Sequence, residues 1–229
     1  MIWAFIPARG GSKSIPKKNI KLFCNQPLIF WSLTALEQTV EIEKIVVATD
    51  SEEIEKIVQS FGLQKSLIYR RLAENAQDMS SSESVMLEFL ESRNCEVKDD
   101  DIFMLVQATS PLTQPIHFAN ALRIFKSSSY DSMLTCVRVK RFFWNPEGTS
   151  KNYDYRARPR RQDFKGELLE NGAFYINTAG NIRAYKNRLC GAIGIFEMPE
   201  YTAVDIDEED DWHVAENLMR KYVLNILKK

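Results

Sequence analysis

A glycine-containing basic loop follows the first apolar run of the sequence. Its residues are Ala8-Arg9-Gly10-Gly11-Ser12-Lys13-Ser14-Ile15-Pro16-Lys17-Lys18-Asn19, called the basic loop below. Its two glycines let backbone amides approach a phosphate closely, and Arg9, Lys13 and Lys18 supply positive charge. The spacing matches neither a P-loop nor the Gly-x-Gly-x-x-Gly fingerprint. An anion-binding loop and an exposed basic turn are both open, and the position directly after a strand favours anion binding.

Two aspartates alternate with apolar residues near the end of the sequence, at the start of residues 204–211, called the acidic segment below. Residues i and i+2 of an extended segment point the same way, so Asp205 and Asp207 can share one divalent cation. Mg²⁺ takes a couple of carboxylates together with waters and phosphate oxygens, which a nucleotide site would offer. The alternative is a solvated acidic helix start, which accounts well for residues 208–210. The alternation favours a metal at the two aspartates.

Two polar side chains follow another apolar run, in the segment Val106-Gln107-Ala108-Thr109-Ser110-Pro111-Leu112. Gln107 and Thr109 can hydrogen-bond a polar substrate at the end of a buried strand. The alternative is an ordinary strand-to-helix turn, in which Ser110 or Thr113 caps the helix.

An arginine-rich stretch begins near Val139. Residues 138–165 hold nine basic residues against three acidic ones, with aromatic residues scattered among them. We interpret residues 138–170 as an insertion that projects from the core, and call them the insertion. Its cluster Arg158-Pro159-Arg160-Arg161-Gln162-Asp163 can bind single-stranded nucleic acid, a carboxylate or triphosphate, or a partner subunit. A solvated charged face is the alternative, but the density of arginines favours binding or an interface.

The composition excludes several classes of protein. Thirty Lys and Arg against 31 Asp and Glu leave a net charge of -1, which argues against a general affinity for nucleic acid or anionic membranes. Two histidines rule out a multi-histidine zinc site and leave little room for a histidine-based triad. The first apolar run, Ile2–Ile6, is too short to span a bilayer. Four dispersed cysteines without a Cys-x-x-Cys pair indicate reduced thiols in a cytoplasmic protein.

The elements that must position these residues alternate along the chain. Strands are predicted at residues 2–6, 44–49, 67–69, 102–106, 133–139, 173–177 and 192–196, and helices at 27–36, 51–61, 82–92, 115–125 and 209–227. Asp50, with Glu53 three residues on, is predicted to form a capping box. This alternation predicts a three-layer α/β/α sandwich with a mainly parallel sheet and helices on both faces. Ligands bind beyond the carboxyl ends of the strands in such sheets, which directs attention to the loops after Ile6, Val47 and Val106.

The sequence resembles the N-acylneuraminate cytidylyltransferases, also called CMP-sialic acid synthetases. The resemblance covers essentially the whole chain, because its motifs occur in the family order. They are the basic loop, Ser51 to Gly62, Arg70-Arg71 through Asp78 to Ser82, Gln107 to Pro111, Arg158 to Asp163, Glu170-Asn171-Gly172 and Val204 to Asp207. The arginine cluster is similar to that of the animal-type branch. Ser14 departs from the family, which commonly has glycine there. The chain also ends without the phosphatase-like extension of animal members, so no phosphatase activity is expected.

The resemblance implies a reaction in which CTP and a nonulosonic acid give the CMP-sugar and pyrophosphate with Mg²⁺. The sugar is expected to be N-acetylneuraminate or KDN, with KDO, legionaminate and pseudaminate as alternatives. A Rossmann-like core of the nucleotide-diphospho-sugar transferase type is implied, with a single domain over residues 1–229. The resemblance also implies a homodimer in which the insertion reaches into the neighbour's site. A nucleic-acid-binding module built on Arg156 to Arg161 is the alternative from another class, and the net charge of -1 argues against it.

The resemblance also implies roles for individual residues, taken position by position. Arg9, Lys13, Lys18 and Asn19 would hold the CTP phosphates and ribose. Arg71 and Ser82 would contact the nucleotide, with Arg70 as the alternative arginine, and Gln107 would contact the sugar. Asp205 and Asp207 would bind Mg²⁺. One of Arg158, Arg160 and Arg161 would bind the sugar carboxylate, since that group needs a bidentate cation. Arg9, Lys13, Lys18 and Asp207 are the expected catalytic residues, and Asp207 or a metal-bound water would serve as the base.

Overall fold

The computed structural model describes residues 1–76, 80–93 and 95–225. Its strands are β1 (Ile2–Pro7), β2 (Leu22–Phe23), β3 (Gln26–Pro27), β4 (Lys44–Thr49), β5 (Ser66–Arg70), β6 (Ile102–Val106), β7 (Ser132–Val139), β8 (Glu167–Thr178) and β9 (Ile193–Met198). Its α-helices are α1 (Leu28–Glu37), α2 (Glu52–Ser60), α3 (Ser82–Leu90), α4 (Pro115–Ser127), α5 (Ala179–Tyr185) and α6 (Glu209–Leu218). Asp78 of the family motif and residues 226–227 of the last predicted helix lie outside the described residues.

One large sheet organises the chain. Seven strands lie in the order β5-β4-β1-β6-β8-β7-β9, while β2 and β3 form a separate hairpin. β1 is parallel to β4 and β6, β4 is parallel to β5, and β7 is parallel to β9. β8 runs antiparallel to both of its neighbours. The prediction of a mainly parallel sheet is confirmed, and it places the loops after β1, β4 and β6 at one edge.

Successive side chains of a strand point to opposite faces of the sheet. Both faces of this sheet carry apolar side chains, and helices cover both. On one face α1, α2 and α4 pack against side chains that include Ile6 and Val47. On the other face α3 and α5 pack against side chains that include Phe5 and Phe103. Since β1 is buried on both faces along nearly its whole length, the start of the basic loop is held by the core. The predicted three-layer sandwich is confirmed.

A third apolar cluster joins α6 to the basic loop. Trp212 and Ala215 of α6 pack in one cluster with Ile15 of the basic loop and Ile206 of the acidic segment. The backbone N–H of Ile206 also donates to the carbonyl of Thr109 at 3.1 Å. The cluster therefore brings the acidic segment next to the loops that follow β1 and β6.

Two predictions about helix ends are wrong. Ser51, not Asp50, caps α2, because the Ser51 hydroxyl accepts from the Ile54 N–H at 3.4 Å while Asp50 turns to the basic loop. The last helix is not regular to residue 227 either. α6 ends at Leu218 and continues as a π-helical turn over Met219–Val223. The spacing of apolar residues continues through the change from α- to π-helical hydrogen bonding. The sequence pattern therefore does not reveal where α6 ends.

Both ends of the insertion form regular β-structure, although its composition predicts a segment that leaves the core throughout. Strands β7 and β8 pair antiparallel as far as Val139 and Glu167, so they extend the sheet into both ends of the insertion. Residues 140–166 then leave the sheet. The ring centre of Phe142 lies 4.3 Å from the ring centre of Tyr153 and 4.9 Å from that of Phe164. The insertion thus carries a small aromatic cluster of its own.

All four cysteines are free thiols, with Cys24, Cys136 and Cys190 buried and Cys95 half-buried. Within residues 1–76, 80–93 and 95–225, none of the helices combines the length and apolar character needed to cross a lipid bilayer.

Candidate active site

A cavity of about 320 Å³ lies at the carboxyl ends of β1 and β6. The basic loop, the start of α3 and the acidic segment form its walls together with the end of β6. The lining residues are Pro7, Arg9, Gly11, Ser12, Lys13, Ser14, Lys18, Asn19, Arg71, Ser80, Ser81, Ser82, Val85, Gln107, Thr109 and Asp207. Nearly all of them are polar and most of the charged ones are cationic, which suits a phosphate-bearing ligand.

Two hydrogen bonds, one within the basic loop and one to the residue after β4, hold the loop in shape. The Gly10 N–H donates to Asp50 Oδ1 at 2.8 Å, and the Asn19 side-chain amide donates to the Arg9 carbonyl at 3.0 Å. A Cβ atom added to Gly10 would lie 2.8 Å from the Cβ of Ser51, so glycine is required by this close approach. The loop is thereby attached to the residues that follow β4.

The acidic segment contacts the basic loop directly. Lys18 Nζ lies 3.1 Å from Asp207 Oδ1 and donates to the Ile206 carbonyl at 2.8 Å, although these residues are 188 or more positions apart. The Ser14 hydroxyl donates to the Asp207 carbonyl at 2.5 Å. Asp211 Oδ2 accepts from the N–H groups of Asp207 and Glu208 at 3.1 and 2.8 Å, as part of the capping of α6. The predicted basic and acidic motifs therefore meet at one cavity.

Asp205 is the more buried of the two aspartates. Burial raises the pKa of its carboxyl group, as does the charge of Asp207, while a hydrogen bond with Thr109 and the charge of Lys18 act in the opposite direction. Its Oδ1 atom is buried without a hydrogen-bond partner among the described residues. A water or a cation at this oxygen would be favourable, because an unsatisfied buried polar atom costs about 1–3 kcal/mol. Within the described ranges, no cluster of three or more Asp, Glu, His or Cys side chains has metal-binding geometry.

The structure separates the two candidate arginines at the end of β5. Arg71 lines the cavity, whereas Arg70 is exposed and pairs with Glu55 at 2.8 Å. Burial lowers the pKa of the Arg71 guanidinium and the charge of Arg9 adds to this, while Asp50 and Glu88 oppose it. Its Nε atom is buried and has no hydrogen-bond partner in the described part of the chain. Arg71 therefore keeps one donor that no described residue engages.

The opposite wall combines the start of α3 with the end of β6. Ser81 caps α3 by accepting from the Ser84 N–H at 3.1 Å, and Ser82 begins the helix. Gln107 lies beside Ala173, whose carbonyl accepts from the Gln107 N–H at 3.1 Å. Both predicted contacts, Ser82 and Gln107, thus line the same cavity as the basic loop.

The three predicted arginines of the insertion bind or stack on residues other than those that line this cavity. Arg160 pairs with Asp163 at 2.7 Å, Arg161 lies 3.5 Å from Glu200, and the Arg158 guanidinium stacks 4.6 Å from the Phe142 ring centre. None of them is among the described residues that line the cavity of their own chain.

Sequence reasoning missed two residues that line the cavity and misassigned a third that supports it. Ser80 and Ser81 line it together with Ser82, and sequence patterns marked only the last. Asp50 was interpreted as a helix cap, yet it holds the basic loop. Its position directly after β4, at the same sheet edge as the basic loop, is the signal that would have identified it.

Comparison with known proteins identifies the family of the chain. A family model described as cytidylyltransferase matches residues 3–224. The chain belongs to the cytidylyltransferase family. It is 40% identical over 229 residues to the N-acylneuraminate cytidylyltransferase of Oncorhynchus mykiss and 38% identical to N-acylneuraminate cytidylyltransferase B of Danio rerio. Each match covers 96% of this chain and 51% of the relative, so the chain spans about half the length of these curated relatives. The resemblance seen in the sequence is confirmed.

Solved structures of two other cytidylyltransferases share the fold. A CMP:2-keto-3-deoxy-manno-octonic acid synthetase, solved in complex with CTP, has a TM-score of 0.69 at 20% identity and covers 97% of this chain and 99% of its own. The 2-C-methyl-D-erythritol 4-phosphate cytidylyltransferase of Francisella tularensis has a TM-score of 0.67 at 15% identity, with 95% and 99% covered. These likenesses confirm the predicted Rossmann-like fold.

Proposed function

We propose that this chain transfers the cytidylyl group of CTP to a nonulosonic acid, N-acetylneuraminate or KDN, with release of pyrophosphate. The names of the relatives at 38–40% identity support this class of sugar. The proposal includes Mg²⁺ as cofactor, a homodimer and a cytoplasmic location. It includes no nucleic-acid or membrane partner, in line with the net charge of -1. The alternative keeps the reaction and changes the sugar to KDO, legionaminate or pseudaminate.

The observation that carries the proposal is the meeting of the basic loop and the acidic segment at one cavity. Lys18 lies 3.1 Å from Asp207, and Arg9, Lys13 and Arg71 line the same space. A triphosphate carries several negative charges and needs cations around it, together with carboxylates that can hold a divalent metal. This pairing supports a nucleoside triphosphate as the ligand of the cavity.

The proposed chemistry needs positioning and charge stabilisation and no covalent intermediate. The sugar 2-hydroxyl oxygen bonds to the α-phosphorus, and the opposite bond from phosphorus to the bridging oxygen of the leaving pyrophosphate breaks. Arg9, Lys13 and Lys18 would meet the charge that builds up on the phosphates. Asp207 is the one carboxylate among the described lining residues, so we assign it as the candidate acceptor of the hydroxyl proton.

Asp205 and Asp207 would hold the metal. The donor set fits Mg²⁺, because this ion commonly takes one or two carboxylates and completes its shell with waters and phosphate oxygens. The buried Asp205 Oδ1, which has no partner among the described residues, supports this assignment. When bound, Mg²⁺ would neutralise charge on the triphosphate.

The insertion would complete the site of a second subunit. Arg158, Arg160 and Arg161 do not line the cavity of their own chain, which supports a role across a dimer interface. We propose that one of them binds the sugar carboxylate there, since a guanidinium pairs with a carboxylate in a bidentate manner.

Pyrophosphate release tests this proposal. We expect release from CTP and Mg²⁺ with N-acetylneuraminate or KDN, and Asp207→Asn should lower the rate by about 100-fold or more because it removes charge at the reacting phosphates. Asp210→Asn, an exposed position in the first turn of α6, is the matched control and should stay within about twofold. Faster release with KDO, legionaminate or pseudaminate would favour the alternative. No release with any of these sugars, or a fully active Asp207→Asn variant, would refute the proposal.

A further inference from the structure

Arg71 depends on a short turn for its direction. Its backbone N–H donates to the Thr49 carbonyl at 3.0 Å, which fixes its main chain at the end of β5. One terminal guanidinium nitrogen donates to the Asn75 carbonyl, at the end of the 3-10 turn Ala73–Asn75. Its Nε has no partner among the described residues. One hydrogen bond therefore ties the guanidinium to the turn, and a shift of residues 72–75 would redirect it.

A single carboxylate on α3 holds this turn at both ends. Glu88 Oε1 accepts from the Leu72 N–H at 2.7 Å, and Glu88 Oε2 accepts from the Asn75 side-chain amide at 2.6 Å. Glu88 Oε1 also accepts from the Tyr69 hydroxyl at 2.9 Å. The next residue of α3, Phe89, is buried in the core, so the backbone that carries Glu88 is held by core packing.

Charge favours the same arrangement. Arg71 shares the cavity with the cationic Arg9, Lys13 and Lys18, which disfavour another positive charge beside them. The carboxylates of Asp50 and Glu88 both act on Arg71 in the opposite sense. Asp50 has the larger effect of the two, and Glu88, which also accepts from the Leu72 N–H in the turn after Arg71, adds to it. Glu88 thus supplies both the geometry and part of the compensating charge.

We propose that Glu88 is a positioning residue, which holds the 72–75 turn so that Arg71 presents its guanidinium to the phosphate-bearing ligand of the cavity. This inference rests on the proposed function, because it assigns Arg71 a nucleotide as its ligand. Glu88 itself does not line the cavity and acts through Arg71.

The substitution Glu88→Gln tests the inference. Glutamine has the same size but turns one acceptor oxygen into a donor, so it cannot accept from both Leu72 and Asn75. We expect KM for CTP to rise about tenfold while kcat stays within about threefold. Tyr69→Phe is the matched control, because it removes one bond to Glu88 and leaves both bonds to the turn. It should leave KM for CTP within about twofold of wild type.

A double-mutant cycle with Arg71→Ala separates positioning from a general loss of structure. If Glu88 acts through Arg71, Glu88→Gln should have no further effect on KM for CTP once Arg71 is alanine. An equal loss in both backgrounds would overturn the inference, as would an unchanged KM in the single variant. If Glu88→Gln does not fold, Asn75→Ala removes the hydrogen bond to Glu88 from the side of the turn. This variant should raise KM for CTP about threefold. An unchanged KM would overturn the inference.

A measurement that does not depend on catalysis separates this inference from the proposed function. The rate at which phenylglyoxal modifies Arg71 can be followed by peptide mass spectrometry on the folded protein. Glu88→Gln should raise this rate several-fold and Tyr69→Phe should not, because only the first releases the turn. If wild type transfers no cytidylyl group, the proposed function fails while these rates still decide the role of Glu88. Equal rates in all three proteins would overturn it.

Discussion

At the scale of single residues, the shape of the basic loop depends on its two adjacent glycines, Gly10 and Gly11. Their sequence alone does not distinguish them. Gly10 approaches Ser51 so closely that any side chain would collide, and its N–H is fixed by Asp50 at 2.8 Å. Gly11 has the opposite environment, because a Cβ atom there would meet nothing within 4 Å. The two adjacent glycines therefore have different functions, the first for packing against the residues after β4 and the second for access to the cavity.

This difference predicts unequal effects of the same substitution. Gly10→Ala should lower the free energy of unfolding by about 1–3 kcal/mol, because the added methyl group collides with Ser51 and displaces the loop. Gly11→Ala should stay within about 0.5 kcal/mol, since its methyl group enters open space. Urea denaturation of both variants in the absence of ligand checks this. Equal stability of the two variants would show that the loop does not pack as described.

At the scale of elements, a paired arginine and glutamate join the start of α3 to the loop before β9. Arg188 donates two hydrogen bonds to Glu83, one of them at 2.9 Å, and both side chains are mostly buried. Burial alone would raise the pKa of Glu83, but the hydrogen bonds and charge of Arg188 outweigh it and lower the pKa below its ordinary value of 4.5. The pair thus stabilises the wall that carries Ser82.

The pH dependence of stability follows from that lowered pKa. The stabilisation is fully present above the unfolded-state pKa and is lost as the pH falls through the lower folded-state pKa. Arg188→Met should cost about 2 kcal/mol at pH 7, and the difference from wild type should shrink below about pH 4. Arg70→Met is the control, because the Arg70–Glu55 pair is exposed and should contribute less than about 0.5 kcal/mol. Urea denaturation at both pH values measures this, and a pH-independent difference would contradict it.

Elements were predictable from the sequence where one local pattern determined them. The buried strands β1, β4 and β6 and the amphipathic helices between them follow from runs of apolar residues, and the cavity edge follows from their parallel order. Asp50 could not be assigned correctly, because two adjacent residues can each cap a helix and the choice is made by Gly10, 40 positions away. The aromatic cluster of the insertion and the link from Glu88 to Asn75 also depend on contacts that no periodicity encodes.

At the scale of the whole molecule, the site joins segments from both ends of the chain. Lys18 and the Ile206 carbonyl lie 2.8 Å apart although they are separated by 188 positions. By contrast, no described residue of the insertion lines the cavity of its own chain. A complete site would then need two copies of the chain, one supplying the cavity and the other the arginines.

Mixing two inactive variants tests this arrangement. One variant carries Asp207→Asn, and the other carries Arg158→Ala, Arg160→Ala and Arg161→Ala together. If subunits exchange at random, half of the dimers are mixed and each has one intact site, so about a quarter of the wild-type rate should return. Pyrophosphate release by the mixture, compared with each variant alone, is the measurement. A mixture no more active than its components would place the arginines with their own chain or outside the site.

The central claim is that the basic loop and the acidic segment hold the same triphosphate. A crystal structure of the chain with CTP and Mn²⁺, located by its anomalous signal, tests this most directly. We expect phosphate oxygens within hydrogen-bond distance of Lys13 and Lys18, and the metal coordinated directly by carboxylate oxygens of Asp205 and Asp207. A triphosphate bound outside this cavity, or a metal that contacts neither aspartate, would contradict the account.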